Sequence, residues 1–137
     1  MSWNARRAVL ADTGPLYAAA DPSDQYHPRA QAEVRRLTDQ GFGVVVARPT
    51  LLEAYSLVLH RLGPRRGLAW LDDVLPGVFV VEPSPEDYAE ALRRLRGIPD
   101  QPLTLVDAVL AVLSDRLGLP VWIFDHHFDV MRVSVWR

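Results

Sequence analysis

The chain contains no cysteine, which excludes disulfides, thiolate zinc sites and cysteine nucleophiles. It contains no lysine either, because all fifteen basic residues are arginine. That removes the P-loop lysine, Schiff-base chemistry and the receiver-domain lysine. No apolar run approaches the roughly 18 residues of a membrane span. The nearest approach to a targeting segment is A-V-L-A after Arg6-Arg7. Asp12 and Gly14-Pro15 break that run too early for a secretory signal. Nothing argues for export, and the expected location is the cytoplasm. An excess of positive charge is also missing. The net charge of −2 creates no global basic field, so any contact with nucleic acid must come from local arginine patches. The arginine pairs Arg6-Arg7, Arg35-Arg36, Arg65-Arg66 and Arg93-Arg94 read mostly as surface charge.

What is present describes one folded unit. With 137 residues, 49% of them hydrophobic and 23% charged, residues 1–137 form a single domain able to bury a real core. Low net charge with this much apolar content excludes disorder. There is no internal repeat and no long linker. Buried strands are expected at 7–11, 43–47, 78–81 and 121–124, with a possible edge strand at 133–136. Helices are expected at about 15–20, 28–40, 49–62, 65–75, from the Ser84 cap to about 96, and at 104–117. Pro15 suits a helix's first position. Ala30, Val34 and Leu37 share one helix face. Strands that are continuous apolar runs, separated by helices, indicate a parallel sheet covered on both faces. Such sheets carry their sites at the carboxyl ends of the strands, where strand order reverses.

Four carboxylates stand in apolar company. Asp12 follows the first strand and faces the start of a helix, where it is either a cap or a site acid. Asp125 repeats that arrangement after V-W-I-F. Glu53 lies in a helix that is apolar nearly all round and therefore reads as buried, although Glu53, Ser56 and His60 also make one polar stripe. Asp107 interrupts the most apolar helix of the chain, where an unpaired charge is costly. Thr104-x-x-Asp107 also matches a capping box, as Ser84-x-x-Asp87 does. In a parallel α/β layer all four positions converge on one edge of the sheet. Four acids there repel one another unless a cation lies between them. An all-oxygen donor set suits Mg²⁺ or Mn²⁺, and such a site performs metal-assisted phosphoester hydrolysis.

The stretches A-D-T-G-P-L at 11–16, R-P-T-L-L-E at 48–53, L-T-L-V-D-A at 103–108 and F-D-H-H-F at 124–128 resemble the PIN domain. Their order and spacing are similar to the toxin nucleases of VapC type, over essentially the whole chain. The resemblance implies a three-layer α/β/α sandwich with a central parallel sheet. It implies Mg²⁺- or Mn²⁺-dependent cleavage of RNA, with Asp12, Glu53, Asp107 and Asp125 as the catalytic, metal-binding acids. It further implies a homodimer and a small antitoxin partner. The chain departs from the family pattern at Ile123, where Thr or Ser is common and a hydroxyl would help hold the metal shell. The alternative to a toxin ribonuclease is a catalytically inactive PIN-like scaffold that binds RNA or protein.

Other polar residues read more simply. Adjacent residues rarely aim at one ion, so His126 and His127 are loop residues, with His127 a candidate RNA contact. His27 and His60 read as surface or helix-face residues. Asp21 and Asp24 read as solvated loop acids. Trp3, Trp70, Trp122 and Trp136 are core candidates, and Trp70, close to Arg65-Arg66, could instead line a partner groove.

Overall fold

The structure is a computed structural model that describes residues 7–124, 129 and 131–137. Two expected features, Trp3 and the segment containing Asp125, His126 and His127, lie outside the described residues. The elements run β1 (Ala8–Ala11), α1 (Thr13–Ala20), α2 (His27–Asp39), β2 (Gly43–Ala47) and α3 (Arg48–Leu62). They continue with α4 (Pro64–Val74), a 3₁₀ turn (Leu75–Gly77), β3 (Phe79–Val81), α5 (Pro85–Arg96), α6 (Leu105–Leu117) and β4 (Val121–Trp122).

The described strands form one 4-stranded sheet in the order β3-β2-β1-β4, with every pairing parallel. The register places Val9 beside Val44, Val45 beside Phe79, and Leu10 beside Val121. Both faces are covered, as continuous apolar strands require. Alternation along each strand divides the core in two. Ala8, Leu10, Val45, Ala47 and Val121 face α5 and α6. Val9, Ala11, Val46 and Trp122 face α1, α2, α3 and α4. The result is the expected three-layer α/β/α sandwich.

Several local expectations are corrected. Helix α1 begins at Thr13, so Pro15 occupies its third position and not its first. Strand β4 is two residues long, because β1, its only neighbour on that side, turns into helix after Ala11. The last ladder bond is the Asp12 amide donating to the Trp122 carbonyl at 2.9 Å. Ile123 and Phe124 therefore lie beyond the strand. The expected edge strand at 133–136 is reduced to a single parallel bridge between Val121 and Val135. Helix α3 is buried along Thr50, Leu51, Ala54 and Val58 only; Leu52 is 59% exposed. Val34, too, is exposed, while Ala30 and Leu37 are buried. Trp70 and Trp122 are core residues. Among the described residues no helix is long and apolar enough to cross a membrane.

Asp21 is not solvated. It is buried and accepts hydrogen bonds from the Tyr17 hydroxyl, the Ser23 backbone N–H and the Ser23 hydroxyl. The Tyr17 bond, followed by the two Ser23 bonds, outweighs burial and lowers its pKa to about 2. A carboxylate whose pKa is lower in the folded protein stabilises it above the unfolded value, near 4, and that stability is lost as pH falls toward the folded value. Urea unfolding at pH 5 and at pH 2.5 is expected to show a smaller acid-induced loss of stability in Asp21→Asn than in the wild type. Equal losses in both proteins would contradict this role.

Candidate functional site

Parallel strands bring the first turns of the following helices to one edge of the sheet. The strand order reverses at β1, whose neighbours β2 and β4 lie on opposite sides. The crevice expected of an open α/β sheet therefore opens past the ends of β1 and β4. Asp12 stands there. Its backbone is extended and it is the N-cap residue of α1, but its side chain makes no capping bond. It is a buried acid, placed by the turn from strand to helix.

Glu53 joins it through Thr13. The Thr13 hydroxyl donates to Glu53 Oε1 at 2.6 Å across 40 residues of chain. This separates Glu53 from the rest of its stripe, since Ser56 and His60 are exposed and Glu53 is half-buried. Thr13 itself is buried. It is a residue of this corner that the sequence reading did not single out. Its only signal was a hydroxyl next to a candidate acid, in a position that also suits an ordinary turn.

Asp107 opens α6. Leu105 and Val106 line a cleft with Arg48, Pro49 and Leu52, so the first turn of α6 lies beside the first turn of α3. The capping box is present. The Thr104 backbone N–H donates to Asp107 Oδ2 at 3.0 Å, and the Asp107 N–H donates to the Thr104 hydroxyl at 3.1 Å. The box uses one carboxylate oxygen. A carboxylate has two, so capping and metal binding are compatible at this residue.

A comparison with Asp87 separates a structural acid from these. Asp87 also closes a capping box, with Ser84, but Arg116 neutralises it through bonds of 2.9 and 2.8 Å to its two oxygens. Burial pushes its carboxyl up, and the Arg116 guanidinium and the Ser84 amide together hold it below the usual value. Glu53 and Asp107 have no such cation; among the described residues neither takes part in a salt bridge. A half-buried carboxylate without a counter-charge is the arrangement a bound cation would complete.

The fourth acid, Asp125, lies outside the described residues. Its neighbour Phe124 is described: a Cβ built on Gly14 would lie 4.0 Å from Phe124 Cδ2. The chain therefore reaches position 124 against the Asp12-Thr13-Gly14 turn. Among the described residues no three His, Asp or Glu side chains group closely enough to hold a metal ion. The described acids thus supply donors of the right chemistry for Mg²⁺ or Mn²⁺ without completing a site by themselves. Ile123 is buried in the cluster formed with Leu10 and α6, so a hydrocarbon packs where the family pattern has a hydroxyl.

A four-stranded parallel sheet between two helical layers, with acids at the carboxyl edge beside its reversal point, is the PIN-like α/β/α fold. Solved structures share it over nearly their whole length. VapC20 of Mycobacterium tuberculosis, a toxin that cleaves the sarcin-ricin loop, is 21% identical with a TM-score of 0.81, covering 94% of this chain and 98% of its own. VapBC2 of Rickettsia felis, solved bound to a DNA fragment from its promoter, is 14% identical with a TM-score of 0.72, covering 93% and 96%. FitAcB of Neisseria gonorrhoeae is 19% identical with a TM-score of 0.68, covering 94% and 96%. No family model matches the chain, and no curated protein matches it by sequence.

Proposed function

We propose that this chain is a divalent-metal-dependent endoribonuclease that hydrolyses RNA phosphodiester bonds, and that it is the toxin of a toxin–antitoxin pair. The observation that carries the reading is the acid corner. Buried Asp12 lies next to Thr13, whose hydroxyl holds Glu53, and Asp107 opens α6 close to the start of α3. The likeness to VapC20, itself an RNA-cleaving toxin, supports the substrate class. Asp12, Glu53, Asp107 and Asp125 would hold Mg²⁺ or Mn²⁺. When bound, such an ion polarises a phosphoryl oxygen and lowers the pKa of water. The protein's own part is positional. Thr13 orients Glu53, the capping box fixes Asp107 Oδ2, and the end of β1 fixes Asp12. In this reading the partners are RNA, a second copy of the chain in a homodimer, and a small antitoxin.

A second reading is favoured by Ile123. A PIN-like scaffold that has lost the hydroxyl of the metal shell would bind RNA or protein without cutting.

One experiment separates them. The purified, partner-free protein is incubated with structured RNAs in EDTA and in Mn²⁺. Cleavage only in Mn²⁺ is expected, together with growth arrest on expression that co-expression of a cognate antitoxin relieves. Soluble protein that neither cuts RNA nor slows growth would favour the scaffold.

A further inference from the structure

Beside the acid corner lies a cluster that the metal chemistry does not use. Tyr26 and Phe124 pack with ring centroids 5.6 Å apart and planes tilted by 43°. The Arg29 guanidinium lies over the Phe124 ring, 4.4 Å from its centroid. Tyr26 keeps 45% of its surface exposed. Its place is set by the loop before α2, where its backbone N–H donates to Asp24 Oδ1 at 2.8 Å. Arg29 is fixed as well. Its Nε lies 3.2 Å from Glu33 Oε2, and the other oxygen of Glu33 accepts from Trp122 Nε1 at 2.8 Å. The guanidinium is thus held by a ring and a carboxylate, and among the described residues its Nη groups meet no acceptor. The cluster borders the site directly, because Phe124 lies against Gly14, two residues from Asp12.

An exposed aromatic ring beside a planar, pre-oriented guanidinium is what proteins use to stack an unpaired base and hold the adjoining phosphate. The chain has no lysine to supply such contacts, and its net charge gives no general attraction to RNA. We propose that Tyr26, backed by Phe124, is a ledge that stacks one unpaired RNA base flanking the scissile phosphate, with Arg29, held over the Phe124 ring, meeting that nucleotide's phosphate. The ledge would place single-stranded or looped RNA, and not continuous duplex, across the acid corner. This inference rests on the ribonuclease reading, but its test does not need cleavage.

The probe is a short single-stranded oligoribonucleotide carrying 2-aminopurine, whose fluorescence falls on stacking, titrated in EDTA. Wild type and Tyr26→Phe are expected to bind alike and to quench the probe. Tyr26→Leu, which keeps an apolar contact without a π-face, is expected to lose about tenfold in affinity and most of the quenching. Arg29→Gln is expected to weaken binding and to reduce the salt dependence by about one phosphate contact. The melting temperature of each variant separates lost stacking from lost fold. Wild type that fails to quench the probe, or folded Tyr26→Leu that binds and quenches like wild type, would overturn the ledge. Quenching that depends on Tyr26, without cleavage in Mn²⁺, would sink the ribonuclease reading and leave the ledge standing. Cleavage by Tyr26→Leu with an unchanged KM would sink the ledge alone.

Discussion

Asp12→Ala is expected to give a folded protein that no longer cleaves RNA. The side chain makes no capping bond to α1, and the turn it occupies is held by backbone, through the Asp12 amide and the Trp122 carbonyl. The strand before it is anchored by Val9, Leu10 and Ala11, all fully buried. Its removal therefore leaves the core untouched and takes one acid out of a corner where Glu53 stands close by. Loss of an outer partner of a metal site costs about 10–100-fold. Loss of a carboxylate that itself holds the ion should exceed that. Circular dichroism and a cleavage assay in Mn²⁺ check the two halves of the expectation. A folded variant that cuts at the wild-type rate would remove Asp12 from the site.

Asp107 tests the same corner through stability. Its cap is real, and asparagine can still accept the Thr104 amide through its carbonyl oxygen. In EDTA Asp107→Asn therefore loses at most part of a cap, about 0.5–1 kcal/mol, offset by relief of repulsion among the remaining acids. The larger effect is expected with metal. An ion that binds only the folded wild type stabilises it by about 2.7 kcal/mol at a hundredfold excess over Kd, or roughly 10 °C in Tm for a chain of this size. Asp107→Asn should lose most of that rise along with its activity. Thermal melting of both proteins in EDTA and in Mn²⁺ reads it directly. A variant that melts lower in EDTA yet shows the full rise with Mn²⁺ would leave Asp107 a helix cap and nothing more.

Signals carried within a few residues were legible. The run A-V-L-A before Asp12, the valines of β2 and the Ser84 and Thr104 boxes all recur in the structure where periodicity and capping chemistry put them. Asp21 was misread because its strongest partner acts from outside the loop pattern. Tyr17 reaches it from the preceding helix, and a D-P-S-D stretch looks the same whether or not such a hydroxyl is there. The length of β4 was also invisible. V-W-I-F is apolar throughout, but a strand extends only as far as its neighbour does, and β1 has become helix by Thr13.

The sequence by itself determined the class of fold and the identity of the candidate acids, because burial periodicity and side-chain chemistry are local properties of the chain. Only the tertiary structure decided which acids carry a counter-charge. Asp87 and Asp107 close identical capping boxes, yet Arg116, 29 residues from Asp87, neutralises only the former. Glu53 was likewise distinguished from the solvated stripe of α3 by a hydroxyl 40 residues away. Electrostatic environment is set by what packs alongside, and helix packing joins residues that the linear pattern keeps apart.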